Sequence, residues 1–156
     1  MYDKSNKLRF SGLFNSGIIE GHGVAYDEFD KKIYDGSFAG GKFNGFGILY
    51  HKSLNLVYYQ GDFVDGRIEG EGKEFDEVGI TVYDGNWLNG FRHNNGTSYD
   101  SSGNRIYEGD WKYNKRDGFG IVYSSSLNKE YAGHFKNDSA EGSGTDFYEN
   151  GIFLVG

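Results

Sequence analysis

The sequence predicts an all-β fold of repeated antiparallel β-hairpins. Three observations predict it. An aromatic followed by x-Gly recurs at Phe10, Tyr34, Tyr59, Tyr83, Tyr107 and Tyr131, with spacings of 24, 25, 24, 24 and 24 residues. Within each copy aromatic and glycine positions alternate with polar ones, the two-residue period of a half-buried strand. Glycine is also unusually frequent, 26 of 156 residues with 18% aromatics and no proline or cysteine, where ordinary usage is about 7% glycine.

The first strand of each unit is read from its first aromatic. Two residues on, glycine stands at Gly12, Gly36, Gly61, Gly85, Gly109 and Gly133. Two further on stands a second aromatic: Phe14, Phe38, Phe63, Trp87, Trp111 and Phe135. These positions share one face, and the residues between them, such as Asp35, Gln60, Asp84 and Asp110, share the other. The glycine leaves a gap that an aromatic of a neighbouring strand can cover.

The loop comes next. Offset seven from the first aromatic is Gly17, Gly41, Gly66 and Gly90, with Asn114 and Asp138 as exceptions; offset eleven is Gly21, Gly45, Gly70, Gly118 and Gly142, with Asn94 as the exception. Asn and Asp are the residues that best tolerate left-handed backbone, so these positions predict φ > 0 in a tight hairpin. After Gly23, Gly47, Gly72, Gly96, Gly120 and Gly144 a second strand runs to a third aromatic, at Tyr26, Tyr50, Phe75, Tyr99, Tyr123 and Phe147. Turns of seven or eight residues, such as "DEVGIT" and "DSSGNR", lead to the next unit.

Aromatic-x-Gly-x-aromatic followed by Gly-x-x-x-Gly-x-Gly resembles the MORN-repeat family, in six copies over nearly the whole chain. The resemblance implies that the β-hairpins stack side by side into an elongated single-layer antiparallel sheet, a MORN-repeat solenoid with an aromatic-lined groove on one face. It also implies roles in cytoskeletal and axonemal assemblies and in tethering at membranes. Offset ten, often His in the family, is here Glu20, Asn44, Glu69, Asp117 and Glu141, with His93 alone matching. Residues 1–156 form one array, with units starting near 10, 34, 59, 83, 107 and 131 and partial units at 1–9 and 154–156. Tyr2 sits where an earlier unit's third aromatic would stand, and Leu154 and Gly156 open a seventh unit, so end-to-end array contacts are expected.

Composition and motifs exclude several function classes. The absence of cysteine excludes a disulfide framework and Cys-based sites. The formal charge of −7 disfavours nucleic acid and anionic membrane as partners. No apolar run approaches the roughly 20 residues of a membrane-spanning helix, and "MYDKSNKLRF" is no signal peptide. Gly36, Gly41 and Lys42 match G-x-x-x-x-G-K, but Phe43 stands where a P-loop needs a hydroxyl, and the spacing belongs to the repeat. His22, His51, His93 and His134 fall at different offsets and predict no metal site. The strand carboxylates read as a solvated face, and no cofactor is implied. Lys112, Lys115 and Arg116 form a dense basic cluster, read as solvated loop.

The aromatics are what remains for function, because a single layer has no second layer to bury them. The expectation is a non-catalytic, cytoplasmic scaffold, cytoskeleton- or axoneme-associated, that captures a partner helix or extended segment. Its anchors are Phe38, Tyr50, Phe63, Phe75, Trp87, Tyr99, Trp111, Tyr123 and Phe135. Trp87 and Trp111 occupy one offset of consecutive units and each offers large area and a spare N–H donor. The alternatives are a lipid-binding module using the basic cluster, and the repeat segment of a larger enzyme.

Overall fold

The computed structural model describes residues 1, 9–52, 54–126 and 128–148, and the backbone of 153–155. No helix occurs among the described residues. The chain divides into two compact units, Met1–Gly79 and Ile80–Gly156. The first holds β1 (Phe10–Asn15), β2 (Ile18–Tyr26), β3 (Lys32–Ala39), β4 (Lys42–Tyr50), β5 (Val57–Val64) and β6 (Arg67–Phe75). The second holds β7 (Thr81–Leu88), β8 (Phe91–Tyr99), β9 (Arg105–Lys112), β10 (Lys115–Tyr123), β11 (Lys129–Lys136), β12 (Ser139–Phe147) and β13 (Phe153–Val155). Within each unit, strands pair antiparallel with their neighbours in sequence, forming one layer. Leu154 lies in β13, opposite Asp146 of β12. Tyr2 and Gly156 lie outside the described residues.

The hairpin turns form as the glycine pattern predicts. Asn89 and Gly90 connect β7 to β8 with φ of 52° and 81°, the double left-handed conformation of a type I′ turn. All six offset-seven residues and all six offset-eleven residues have positive φ, Asn94, Asn114 and Asp138 included. Offset eleven marks a bulge. Gly36 faces Gly47 and Phe38 faces Phe43, so β4 spends two more residues than β3 over that span, and Gly45 absorbs them at φ 91°. The linkers are shorter than expected, as in 27–31 between β2 and β3. From β3 on, the first strand of each repeat starts two residues before its aromatic, where Tyr26 already pairs with Lys32.

The ring positions build the core. Tyr34, Tyr59 and Tyr83 are fully buried, and each lies over a pair of facing glycines. A Cβ on Gly47 would fall inside the Tyr34 ring of the neighbouring strand. The glycines at these two positions have ordinary negative-φ backbone; they are required because the ring needs the space a Cβ would take. In the first unit, edge-to-face contacts run Phe10–Phe38, Phe38–Tyr34 and Tyr34–Phe63, each with centroids 5.1 Å apart. In the second they run through Trp87, Tyr83, Trp111, Tyr107, Phe135 and Tyr131 at 5.1–5.4 Å. Each such pair contributes about 0.5–1.5 kcal/mol beyond its buried area. The single layer thus covers its rings with other rings.

Candidate functional site

The structure divides the nine expected anchors into two groups. Phe38, Phe63, Trp87, Trp111 and Phe135 lie in the ring column, 2–7% exposed. Trp111 donates its Nε1–H to the Gly96 carbonyl at 3.0 Å, so this donor is used within the sheet and is not spare. The third aromatics do not join the column. The register slips between Leu49 and Tyr50, and again between Val122 and Tyr123, which carries these rings to the linker end of the sheet. Lys32, ion-paired to Asp35 of the polar face, sits 5.9 Å from the Tyr50 ring. Tyr123 donates to Glu108 at 3.1 Å and lies 4.1 Å beneath the Arg105 guanidinium. Burial foremost, with the Glu108 hydrogen bond, raises the Tyr123 pKa. Tyr50, Phe75 and Tyr99 are half-buried.

What remains reachable on the ring face is a position the sequence pattern does not mark, offset nine. It lies directly opposite the second aromatic: Phe43 faces Phe38, Ile68 faces Phe63, Arg92 faces Trp87 and Arg116 faces Trp111. Phe43 stacks flat on Tyr34 at 3.8 Å with the planes 6° apart. Arg92 takes the same place over Tyr83, 4.9 Å from the ring centroid, and 5.7 Å from that of Trp111. Arg116 lies 5.6 Å from the Tyr107 centroid and 5.0 Å from that of Phe135. A guanidinium replaces a ring here because both present a flat face to a π system. Two open hollows result. One in the first unit, about 390 Å³, is walled by Ile33, Phe43, Leu49 and Tyr58 with Tyr50 at its rim. One in the second, about 370 Å³, is walled by Arg92, Ser98, Arg116 and Val122, with Trp111 and Tyr107 also lining it.

The family model of the MORN repeat matches residues 10–27, 34–53, 59–78, 83–105, 107–128 and 131–151. The chain belongs to the MORN-repeat family. No curated protein matches it as a relative. MORN repeats mark repeat modules, often engaged in protein or membrane interactions and in general without catalytic activity.

In this MORN array the buried first-position tyrosines serve structure. Tyr34 donates to the Ser37 carbonyl at 2.9 Å and Tyr107 to that of Asp110 at 2.9 Å. Burial pushes both phenols up to about 12, and raises Tyr59 further. The offset-ten residues cap the next hairpin tip: Glu20 accepts from the Gly40 N–H at 3.0 Å, and Asp117 pairs with Lys136 at 3.1 Å. The Gly36–Lys42 match spans a strand and a hairpin turn, with Lys42 3.6 Å from Asp65. The basic cluster is split by the pleat: Lys112 and Lys115 face each other on the polar side, whereas Arg116 faces Trp111 in the ring column. Among the described residues no group of His, Asp and Glu is placed to hold a metal ion.

Proposed function

We propose that the chain is a non-catalytic protein–protein interaction module that captures a partner helix or extended segment on the ring face of its hairpins. The supporting observation is the pair of open hollows beside the ring column. The buried rings of Tyr107 and Trp111 line the second hollow, the half-buried rings of Phe43, Tyr50 and Tyr58 line the first, and offset-nine and offset-fifteen side chains wall both. Rigid aromatic surfaces with little rotamer entropy to lose are the profile of a peptide-binding groove. Trp111 lines the second hollow directly, Phe38, Phe63, Trp87 and Phe135 back the face from within the ring column, and Tyr50, Tyr99 and Tyr123 form the rim. The setting we propose for such a module, on the family resemblance alone, is a cytoplasmic cytoskeletal or axonemal assembly. The lipid-binding reading has less support, because Arg116 is turned away from Lys112 and Lys115.

The test is selection of a displayed random peptide library on the immobilised chain. Enriched peptides are expected to bind the wild type and to lose at least about tenfold in affinity to Phe43→Ile with Leu49→Ser, or to Arg92→Ile with Arg116→Ile. Other repeats carry these residues, Ile19 and Ser98, at the same offsets, so the fold tolerates them. A library that yields no binder, or binders indifferent to both double variants, sinks the proposal.

A further inference from the structure

We infer that the second unit's hollow selects an acidic segment, one that presents two carboxylates about 10 Å apart to Arg92 and Arg116. This rests on the groove reading above and adds the chemistry of the partner. The chain carries a formal charge of −7, yet the lining of this hollow holds two guanidiniums and, among its described residues, no carboxylate. The other face of the same hairpins is the reverse: its hollow is lined by the carboxylates of Asp84, Glu108 and Asp110, of which Glu108 is ion-paired to Arg105 outside the lining. The two hollows of the second unit are therefore lined by side chains of opposite charge. An acidic segment is drawn to the ring face and repelled from the other, an arrangement that sets specificity and orientation.

The guanidiniums are also suited to carboxylates by their mounting. Each lies against two rings, at 4.9 and 5.7 Å for Arg92 and at 5.6 and 5.0 Å for Arg116. A guanidinium held against two rings has lost much of its side-chain freedom before binding, and its N–H donors lie in its own plane. Arg116 is further held by its Nη2–H bond to the Asp138 carbonyl, 2.7 Å, and by an ion pair of its Nε with the Asp138 carboxylate, 3.5 Å. Its five donors serve more than one acceptor, so an incoming carboxylate shares the guanidinium with Asp138. The positions lie on consecutive hairpins at one offset, two strand spacings or about 10 Å apart. Carboxylates three residues apart in an extended segment, or seven apart in a helix, span that distance. The corresponding hollow of the first unit offers Phe43 and Leu49 and takes an apolar side chain.

The experiment uses the same peptide selection on the full chain, read for sequence and for charge dependence. Peptides that lose affinity to Arg92→Ile with Arg116→Ile are expected to carry paired Asp or Glu. Their affinity should fall about tenfold in that variant, be largely kept in Arg92→Lys with Arg116→Lys, and weaken severalfold between 50 and 500 mM NaCl. Replacing their Asp and Glu by Asn and Gln should match the loss seen with the isoleucine variant. Melting curves of both variants establish that the fold is kept. Binders that lack acidic residues, or that ignore the arginine variants while remaining sensitive to Phe43→Ile with Leu49→Ser, overturn the acidic specificity and leave the groove reading standing. Absence of any binder overturns both. Arginine-dependent binding to phosphatidylserine vesicles without acidic-peptide binding also overturns the inference.

Discussion

At Gly47 the fold depends on a side chain that is not there. The Tyr34 ring occupies the volume a Cβ would need. Gly47→Ala is therefore expected to cost more than about 2 kcal/mol through overpacking, measured by urea unfolding. Tyr34→Phe removes only the hydroxyl bond to Ser37 and should cost about 1 kcal/mol, since Phe10 fills the same position in the first repeat. A result in the reverse order would mean that the hydroxyl, and not the ring over the glycines, secures the strand pair. Gly45 is a separate case. Its φ of 91° strains any side chain, and the copy at Asn94 shows which residue tolerates that region best. Gly45→Ala should destabilise by about 1 kcal/mol or more and Gly45→Asn by less; equal melting temperatures would remove the argument.

At the scale of the element, hairpins are tied tip to tip. The Asn114 N–H donates to the Arg92 carbonyl at 3.0 Å, and its Oδ1 accepts from the Arg92 N–H at 2.8 Å. Asp138 repeats this double contact on Arg116, at 3.0 and 2.9 Å. The two departures from glycine at offset seven in β9–β12 are thus side-chain clamps as well as left-handed turn residues. Asn114→Gly keeps a residue suited to φ 67° and deletes only the clamp. It should cost about 0.5–1.5 kcal/mol by thermal or urea melting, and no change would show the clamp to be idle.

Hairpins, turns and the buried face were legible in the sequence because each depends on residue type: Gly, Asn or Asp holds every left-handed position at offsets seven and eleven, and only glycine fits beneath the rings. Offset nine was not legible, because Ile19, Phe43, Ile68, Arg92, Arg116 and Ala140 share no type. What they share is a place opposite the second aromatic, and that needs the register. That the third aromatics stand outside the ring column was not legible for a related reason, because it follows from the register shifts at Tyr50 and Tyr123. Lys112, Lys115 and Arg116 look clustered in sequence, but the pleat puts Arg116 on the other face. The aspartates of "YDEFD" and "YDSSGN" close the linkers: Asp27 accepts from Phe29 and Lys31, and Asp100 from Ser102 and Asn104.

For the whole molecule, one core chemistry repeated along the chain makes stability depend on pH at both ends of the scale. On the acid side, backbone hydrogen bonds from Lys31 and Asn104 lower the pKa values of Asp27 and Asp100, and the Lys136 hydrogen bond lowers that of Asp117. Their contribution is present at neutral pH and is lost as pH falls through those lowered values. The alkaline side is the stronger test. Tyr34 and Tyr107 hold their protons to about 12 when folded, and Tyr59 holds its proton longer still, while an unfolded phenol ionises near 10. Below pH 10 both states keep the proton, and stability does not change on this account. Between about 10 and 12 the unfolded chain releases protons that the native chain retains, so stability falls with rising pH. Each such tyrosine contributes up to about 1.4 kcal/mol per pH unit. Absorbance at 295 nm and circular dichroism, followed together from pH 8 to 12, should show exposed tyrosines ionising first. The buried ones should follow in one step that coincides with loss of the sheet. Tyr34→Phe with Tyr107→Phe should make that loss less steep in pH even though it lowers stability at pH 8. Buried phenols that ionise near pH 10 with the sheet intact would show that burial does not hold their protons.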